Sequence, residues 1–437
     1  MLVEAGPAGG LAMTAPIKHR TAPADRIDVL VLDAEYRQSL TCVRAFGRSG
    51  LQVGAAATQS GAWAPSFRSR WCSMSAVVTG FARDADRYVD DVLELVEEHD
   101  VELIVPAHDG SIAALRRRRA EVETRTALPI GSEAALELAV SKERTIDLAR
   151  QLGIRVPRTV AARDLSDVRA ATRQLGLPVV VKPVESWAGS VGAGARFGSS
   201  CALSAAEAER CAEPVFALGG KILVQEWLPG HREAVSVLRA GGRSWAQFAQ
   251  RSYREWPVLG GASVFYQSIA LRPELAVPTE NLLDAMDLDG CSIVEFRGDR
   301  RGEPVLMEVN PRMAGSVSLA VSCGVDFPGM LRSWALGQPL RPITQYPIGR
   351  RLRWLAGDIG SLRNNMAHLG SPDAVSRTRA VATFLSDFIT HPSAIDPVDW
   401  ADLRPAAIEL KDVIAGYTGK GVQRLLRRTP VPRRVRR

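Results

Sequence analysis

The chain has 437 residues, a net charge of +7 and an apolar fraction of 46%. That length is too great for one compact core and fits two or three subdomains, and no run of about 18 apolar residues predicts a membrane span. Cys42, Cys72, Cys201, Cys211, Cys291 and Cys323 form no CxxC pair and sit near no histidine at metal-ligand spacing; they fit reduced thiols in a cytoplasm and argue against a zinc or disulfide scaffold.

Residues 1–25 are rich in Ala, Gly and Pro, and their basic residues follow the weak apolar stretch rather than precede it. A flexible leader is expected there, not a secretory signal. Strands follow at Ile27–Leu32, Gln52–Ala57 and Leu103–Val105, alternating with helices at Ser39–Arg48, Ala85–Glu98 and from Ser111. That alternation predicts a parallel sheet flanked by helices over residues 26–130. The turn Asp33–Ser39 holds no GxGxxG, which argues against a dinucleotide site.

One helix is expected from Ser132 to Gly153, with Lys142 inside it. A strand-rich region comes next: Pro178–Lys182, Lys221–Glu226 and Ala234–Arg239, then a helix at Glu280–Met286 and strands at Ser292–Phe296 and Val305–Asn310. The last hundred residues are mixed and carry no assignable motif. The Arg116–Arg119 cluster fits a helix C-terminus. The basic tail, Arg424–Arg437, has no interleaved aromatics, which argues against a nucleic-acid platform.

Three segments carry chemistry. In the first, Val179–Pro183 delivers Lys182 to a glycine-rich loop, Gly189–Gly194, suited to cradling phosphate through backbone N–H groups; the alternative is an ordinary loop. The second, Lys221–Gly230, breaks at Pro229-Gly230, freeing backbone groups near Glu226–Leu228 to read an adenine edge, with Glu233 beyond as a ribose acceptor; the alternative is a strand, a turn and a solvated glutamate. The third is the hairpin of Ser292–Phe296 and Leu306–Asn310. Alternation puts Ile293, Glu295 and Arg297 on one face, and Leu306, Glu308 and Asn310 on one face. A hairpin centred between Arg301 and Gly302 sets Glu295 opposite Glu308, with Cβ atoms about 4.5–5.5 Å apart. Two carboxylates so placed repel, and Mg²⁺, completed by Asn310, would offset the repulsion. Arg312 would hold a transferred phosphoryl group. The alternative is two solvent-facing glutamates on an edge hairpin.

With these motifs, residues from about 139 to 337 resemble the ATP-grasp superfamily, in its carbamoyl-phosphate-synthase-like branch. The Glu308-Val309-Asn310-Pro311-Arg312 run is the most specific, supported by Ser316–Ala320 and Gly324–Pro328. The resemblance implies an α/β protein: an N-terminal Rossmann-like domain (26–130), then an ATP-grasp domain of two α+β lobes clamping ATP (131–340), then a C-terminal extension (341–437). It implies Lys142 and Lys182 on the phosphates, Glu226 and Leu228 at adenine, Glu233 at ribose, and Ser190 to Gly194, with Gly192, as the lid. It further implies Glu295, Glu308 and Asn310 on Mg²⁺ (Mn²⁺ as a substitute) and Arg312 on the acyl phosphate. Arg254, in a charged and aromatic loop from Arg251 to Ser263, is the candidate for the substrate carboxylate; the alternative for this segment is a surface hairpin.

The activity implied is an ATP-dependent carboxylate–amine ligase acting through an acyl phosphate on small molecules. It is expected in the cytoplasm, without membrane insertion, with a homodimer admitted. A carboxylate–thiol ligase, a carbamoyl- or phosphoryl-forming enzyme and a non-catalytic ATP-binding protein are the alternatives.

Overall fold

The computed structural model describes residues 26–58, 64–185, 187–188, 195–258, 261–367, 372 and 375–417. Ser190, Gly192 and the rest of the expected lid loop, the leader and the basic tail lie outside them.

The first unit is a parallel sheet in the order β3-β2-β1-β4, built from β1 (Val29–Val31), β2 (Val53–Ala57), β3 (Met74–Val77) and β4 (Leu103–Val105). Helices α1 (Arg37–Arg48), α2 (Ala85–Glu98), α3 (Asp109–Arg117) and α4 (Arg119–Glu123) accompany it. β1, β2 and β4 are fully buried, which explains their unbroken apolar sequence. β3, half exposed, escapes the sequence reading because its residues alternate. Arg116 and Arg117 close the last turn of α3, as expected of cations at a helix C-terminus.

The expected helix from Ser132 to Gly153 is two helices, α5 (Glu133–Val140) and α6 (Lys142–Gln151). Ser141 interrupts them in an extended conformation, and its side chain accepts from the Arg144 N–H. The Lys142 N–H goes to the carbonyl of Val184 instead of into a helix. A serine that caps a new helix outcompetes continuation of the old one. Lys142 therefore stands at a helix start, tied to the strand that carries Lys182.

The second sheet has the order β5-β10-β6-β9 and is antiparallel throughout. Its strands are β5 (Thr159–Ala162), β6 (Val179–Pro183), β9 (Ser200–Ala202) and β10 (Ile222–Glu226), with a small hairpin of β7 (Trp187–Ala188) and β8 (Ala195–Arg196) beside it. Val179, Val181, Ile222 and Val224 pack on α7 (Leu165–Leu175) and α8 (Ala205–Phe216) in a private core. Alternation then turns Lys182 to the other face.

The third sheet has seven strands in the order β15-β14-β11-β12-β13-β16-β17. They are β11 (Arg232–Arg239), β12 (Ser244–Trp256), β13 (Ala262–Ser268), β14 (Gly290–Gly298), β15 (Pro304–Asn310), β16 (Arg351–Trp354) and β17 (Ala394–Asp396). Of the two readings of Arg251 to Ser263, the structure shows the hairpin instead of the loop: apart from its turn, the segment is the paired ends of β12 and β13. Its charged residues alternate with buried ones, so polarity masks the strand. Helix α9 (Pro273–Met286) covers one face, joining α5 and α6 in a core shared with α2 and α3. Helices α10 (Val317–Ser322) and α11 (Phe327–Ala335) pack with α1 in a second core. The C-terminal region adds α12 (Leu355–Ala367), α13 (Arg377–Thr390) and α14 (Arg404–Tyr417), while β16 and β17 complete the sheet.

Candidate active site

β14 and β15 set Glu295 directly opposite Glu308, as the alternation requires. The ladder is not regular, however. Phe296 pairs with Leu306 while Glu295 pairs with Glu308, so Met307 is an extra residue. The bulge corrects two expectations: the turn centres on Arg301, and Leu306 packs in the core with Phe296, Val294 and Val309 instead of sharing a face with Glu308. Glu295, Glu308 and Asn310 keep a common face, and Asn310 donates its amide to Glu308 Oε1 at 3.2 Å.

The two glutamates are not solvent-facing; their side chains are 17% and 25% exposed. Nor does their repulsion go uncompensated within the protein. Arg232 Nη1 lies 3.3 Å from Glu295 Oε2, and Lys142 Nζ lies 4.0 Å from Glu308 Oε2. Burial pushes the Glu295 carboxyl up, with Arg232 opposing. Burial acts on Glu308 too, but Lys142 and Lys182 outweigh it and hold that carboxyl below the ordinary range. Lys182 is 5% exposed, and burial lowers its pKa to about 8 against the support of Glu308. The second sheet thus brings its lysine to the carboxylate of the third.

Arg312 follows β15, and its Nε lies 2.5 Å from Asp109 at the start of α3. Its charge also acts on Glu295. Alternation had already put Arg297 on the face of Glu295, but Arg232 and Asp109 had no signal in the sequence, because their place depends on β11 lying beside β14 and on α3 meeting the end of β15. Lys142, Lys182, Arg232, Arg297 and Arg312 face Glu255, Glu295, Glu308 and Asp109, a cationic excess that suits a polyphosphate.

The strand end at Glu226–Leu228 is less open than expected. The Glu226 N–H donates to the Arg158 carbonyl, its carboxylate takes the Arg158 guanidinium at 2.8 Å, and the Leu228 carbonyl accepts from Arg297 Nε at 2.9 Å. Among the described residues the Leu228 N–H has no acceptor.

Two assignments change. Glu233 pairs across the ladder with Phe296, so it faces away from Glu295, and its two oxygens are taken by Arg251 and Arg272. It is spent as a bridge between β11, β12 and the start of α9. Arg254 is bidentate to Asp358 of α12, at 2.6 and 2.7 Å, and also bound by Asp387 of α13. Its fork is used up inside the protein and is not offered to a substrate carboxylate.

A family profile described as "ATP-grasp in the biosynthetic pathway with Ter operon" matches residues 220–357. A D-alanine–D-alanine ligase of Pseudomonas putida is 27% identical over 194 residues, covering 40% of this chain and 55% of the ligase. A carbamoyl phosphate synthase large chain of Xylella fastidiosa is 37% identical over 97 residues, covering 22% of this chain and 9% of the synthase. The chain spans about half the length of these curated ligases. Among solved structures, a biotin carboxylase–β,γ-ATP complex from Campylobacter jejuni superposes with a TM-score of 0.58 at 14% identity, over 75% of each chain. An L-amino acid ligase from Bacillus licheniformis gives 0.53 at 18% identity, over 72% of this chain and 75% of the ligase. No helix among the described residues is long and apolar enough to cross a membrane. Residues 220–357 thus match an ATP-grasp profile, and the fold over three-quarters of the chain is that of the biotin carboxylase.

Proposed function

We propose that this chain is an ATP-dependent ligase that joins a carboxylate to an amine through an acyl phosphate. The reading rests on one observation: Glu295 and Glu308 lie side by side on the third sheet, within reach of Lys142 and Lys182 from the second, with Arg312 at their edge. A binding module has little use for paired carboxylates ringed by cations.

The donor set fits a hard divalent cation. Glu295 and Glu308 offer carboxylate oxygens on one face, and Asn310 gives its N–H to Glu308 while keeping its carbonyl oxygen. Those three residues would hold Mg²⁺ or Mn²⁺, which when bound supplies charge neutralisation for phosphate oxygens. Lys142 and Lys182 would bind the phosphates themselves. The Leu228 N–H, with Glu226 beside it, would read the adenine edge. Arg312, held by Asp109, would stay positioned beside the transferred group and stabilise first the acyl phosphate and then the oxyanion formed as the amine attacks.

The D-alanine–D-alanine ligase and L-amino acid ligase named among the relatives support a carboxylate and an amine as small-molecule substrates. The test is product analysis of the purified protein with Mg·ATP and panels of carboxylates paired with amines. ADP and phosphate formed together with a condensed product are expected; AMP and pyrophosphate would overturn the reading.

A further inference from the structure

Accepting an ATP site here, the question left by Glu233 is what receives the sugar hydroxyls. From the Leu228 carbonyl a chain of contacts runs toward the paired glutamates. Arg297 donates to that carbonyl at 2.9 Å and lies over the Trp227 ring, 4.8 Å from its centroid. Its Nη1 is 3.4 Å from Glu255 Oε1. Arg232 Nε is 3.7 Å from the same oxygen, and Arg232 Nη1 reaches Glu295. The residues assigned above to adenine are thus joined to those assigned to the phosphates, and Glu255 sits midway along that chain of contacts.

Both arginines address Oε1. Among the described residues Glu255 Oε2 is buried without a hydrogen-bond partner, and the residue is 9% exposed. A carboxylate oxygen removed from water without a donor is costly and calls for one. Glu255 lies at the β12–β13 end, paired with Ser263, and Arg232 also donates to Ser263 Oγ at 2.9 Å, which puts this carboxylate on the face of the glutamate pair. A ribose supplies two neighbouring hydroxyl donors, and a carboxylate is an acceptor that can take either.

We propose that Glu255, not Glu233, accepts the ribose hydroxyls of the nucleotide and sets the preference for ribonucleotides over deoxyribonucleotides. The proposal rests on the ATP reading above but fails separately from it. Calorimetry with Mg·ATP, 2′-deoxy-ATP and 3′-deoxy-ATP is the test. Wild-type protein should bind at least one deoxy analogue about ten- to a hundredfold more weakly, the size expected for a hydrogen bond to a charged group. Glu255→Ala should erase that ratio, whereas Glu233→Ala should keep it. Equal binding of all three nucleotides by the wild type overturns the proposal without any variant having to fold. A ratio retained in Glu255→Ala, or lost in Glu233→Ala, overturns it too. Absence of ATP binding by the wild type would instead remove the ATP reading, and this proposal with it.

Discussion

Lys182 shows how burial turns a common side chain into a titrating one. Desolvation brings it to about 8, so it loses its charge as pH rises through that value in the free protein. Bound phosphate would favour the charged form. Nucleotide binding at pH 8.5 should therefore take up a proton, and affinity should fall as pH rises further; calorimetry in two buffers of different ionisation enthalpy reads the uptake directly. Lys182→Met should abolish it, and an uptake that survives this substitution would show that another group titrates. The stability sign is opposite: between about 8 and the ordinary 10.5 the unfolded chain holds more protons, so this group alone makes stability rise with pH. Arg254 is a different case. With Asp358 wholly buried against it, Arg254→Ala leaves that carboxylate with Arg353, 3.5 Å away, as its remaining counter-charge, and should cost up to about 3–5 kcal/mol of stability in a urea melt. Nucleotide affinity should stay the same at a temperature where the variant is folded. Unchanged stability with a raised KM for the carboxylate would restore its role in substrate binding.

At the scale of elements, the turn between β10 and β11 depends on a glycine contact. The Gly230 N–H donates to the Gly298 carbonyl at 2.9 Å, and a Cβ on Gly230 would fall 2.4 Å from that oxygen. Gly230→Ala should push the turn off β14, costing about 1–3 kcal/mol and weakening nucleotide binding. Thermal melts with and without ATP check both, and a variant with wild-type melting and affinity would show the turn to be compliant. The glutamate hairpin was legible because a period of two residues carries its own face assignment: Glu295, Glu308 and Asn310 need only neighbouring strands. The bulge at Met307 was not, since one inserted residue changes the register without changing the composition. Nor was the break at Ser141, where a capping side chain competes with a helix whose apolar pattern runs on. Arg232 and Glu255 lie beyond any local pattern, and alternation assigns Arg297 a face but no partner. They meet because β11 is flanked by β14 and β12, pairings that span tens of residues. The charged face of β12 and β13 reads as loop for a related reason: its partners, Asp358 and Asp387, come from helices more than a hundred residues on.

Across the whole molecule, three sheets divide the work. The parallel sheet supplies Asp109 at the start of α3, which holds Arg312. The second sheet supplies Lys182, and α6, leading into it, supplies Lys142. The third supplies the glutamates and, through β16 and β17, draws the C-terminal region into the same layer. A cleft assembled from separate units brings the lysines and the carboxylates together only when the chain is folded as a whole. The chemistry proposed for this cleft is transfer of a phosphoryl group to a carboxylate. The most direct measurement uses a substrate carboxylate labelled with ¹⁸O, once a turning-over pair of substrates is in hand. Mass spectrometry of the released phosphate should find one labelled oxygen, because the acyl phosphate breaks at its acyl carbon when the amine attacks. Unlabelled phosphate, or label in AMP, would contradict the account.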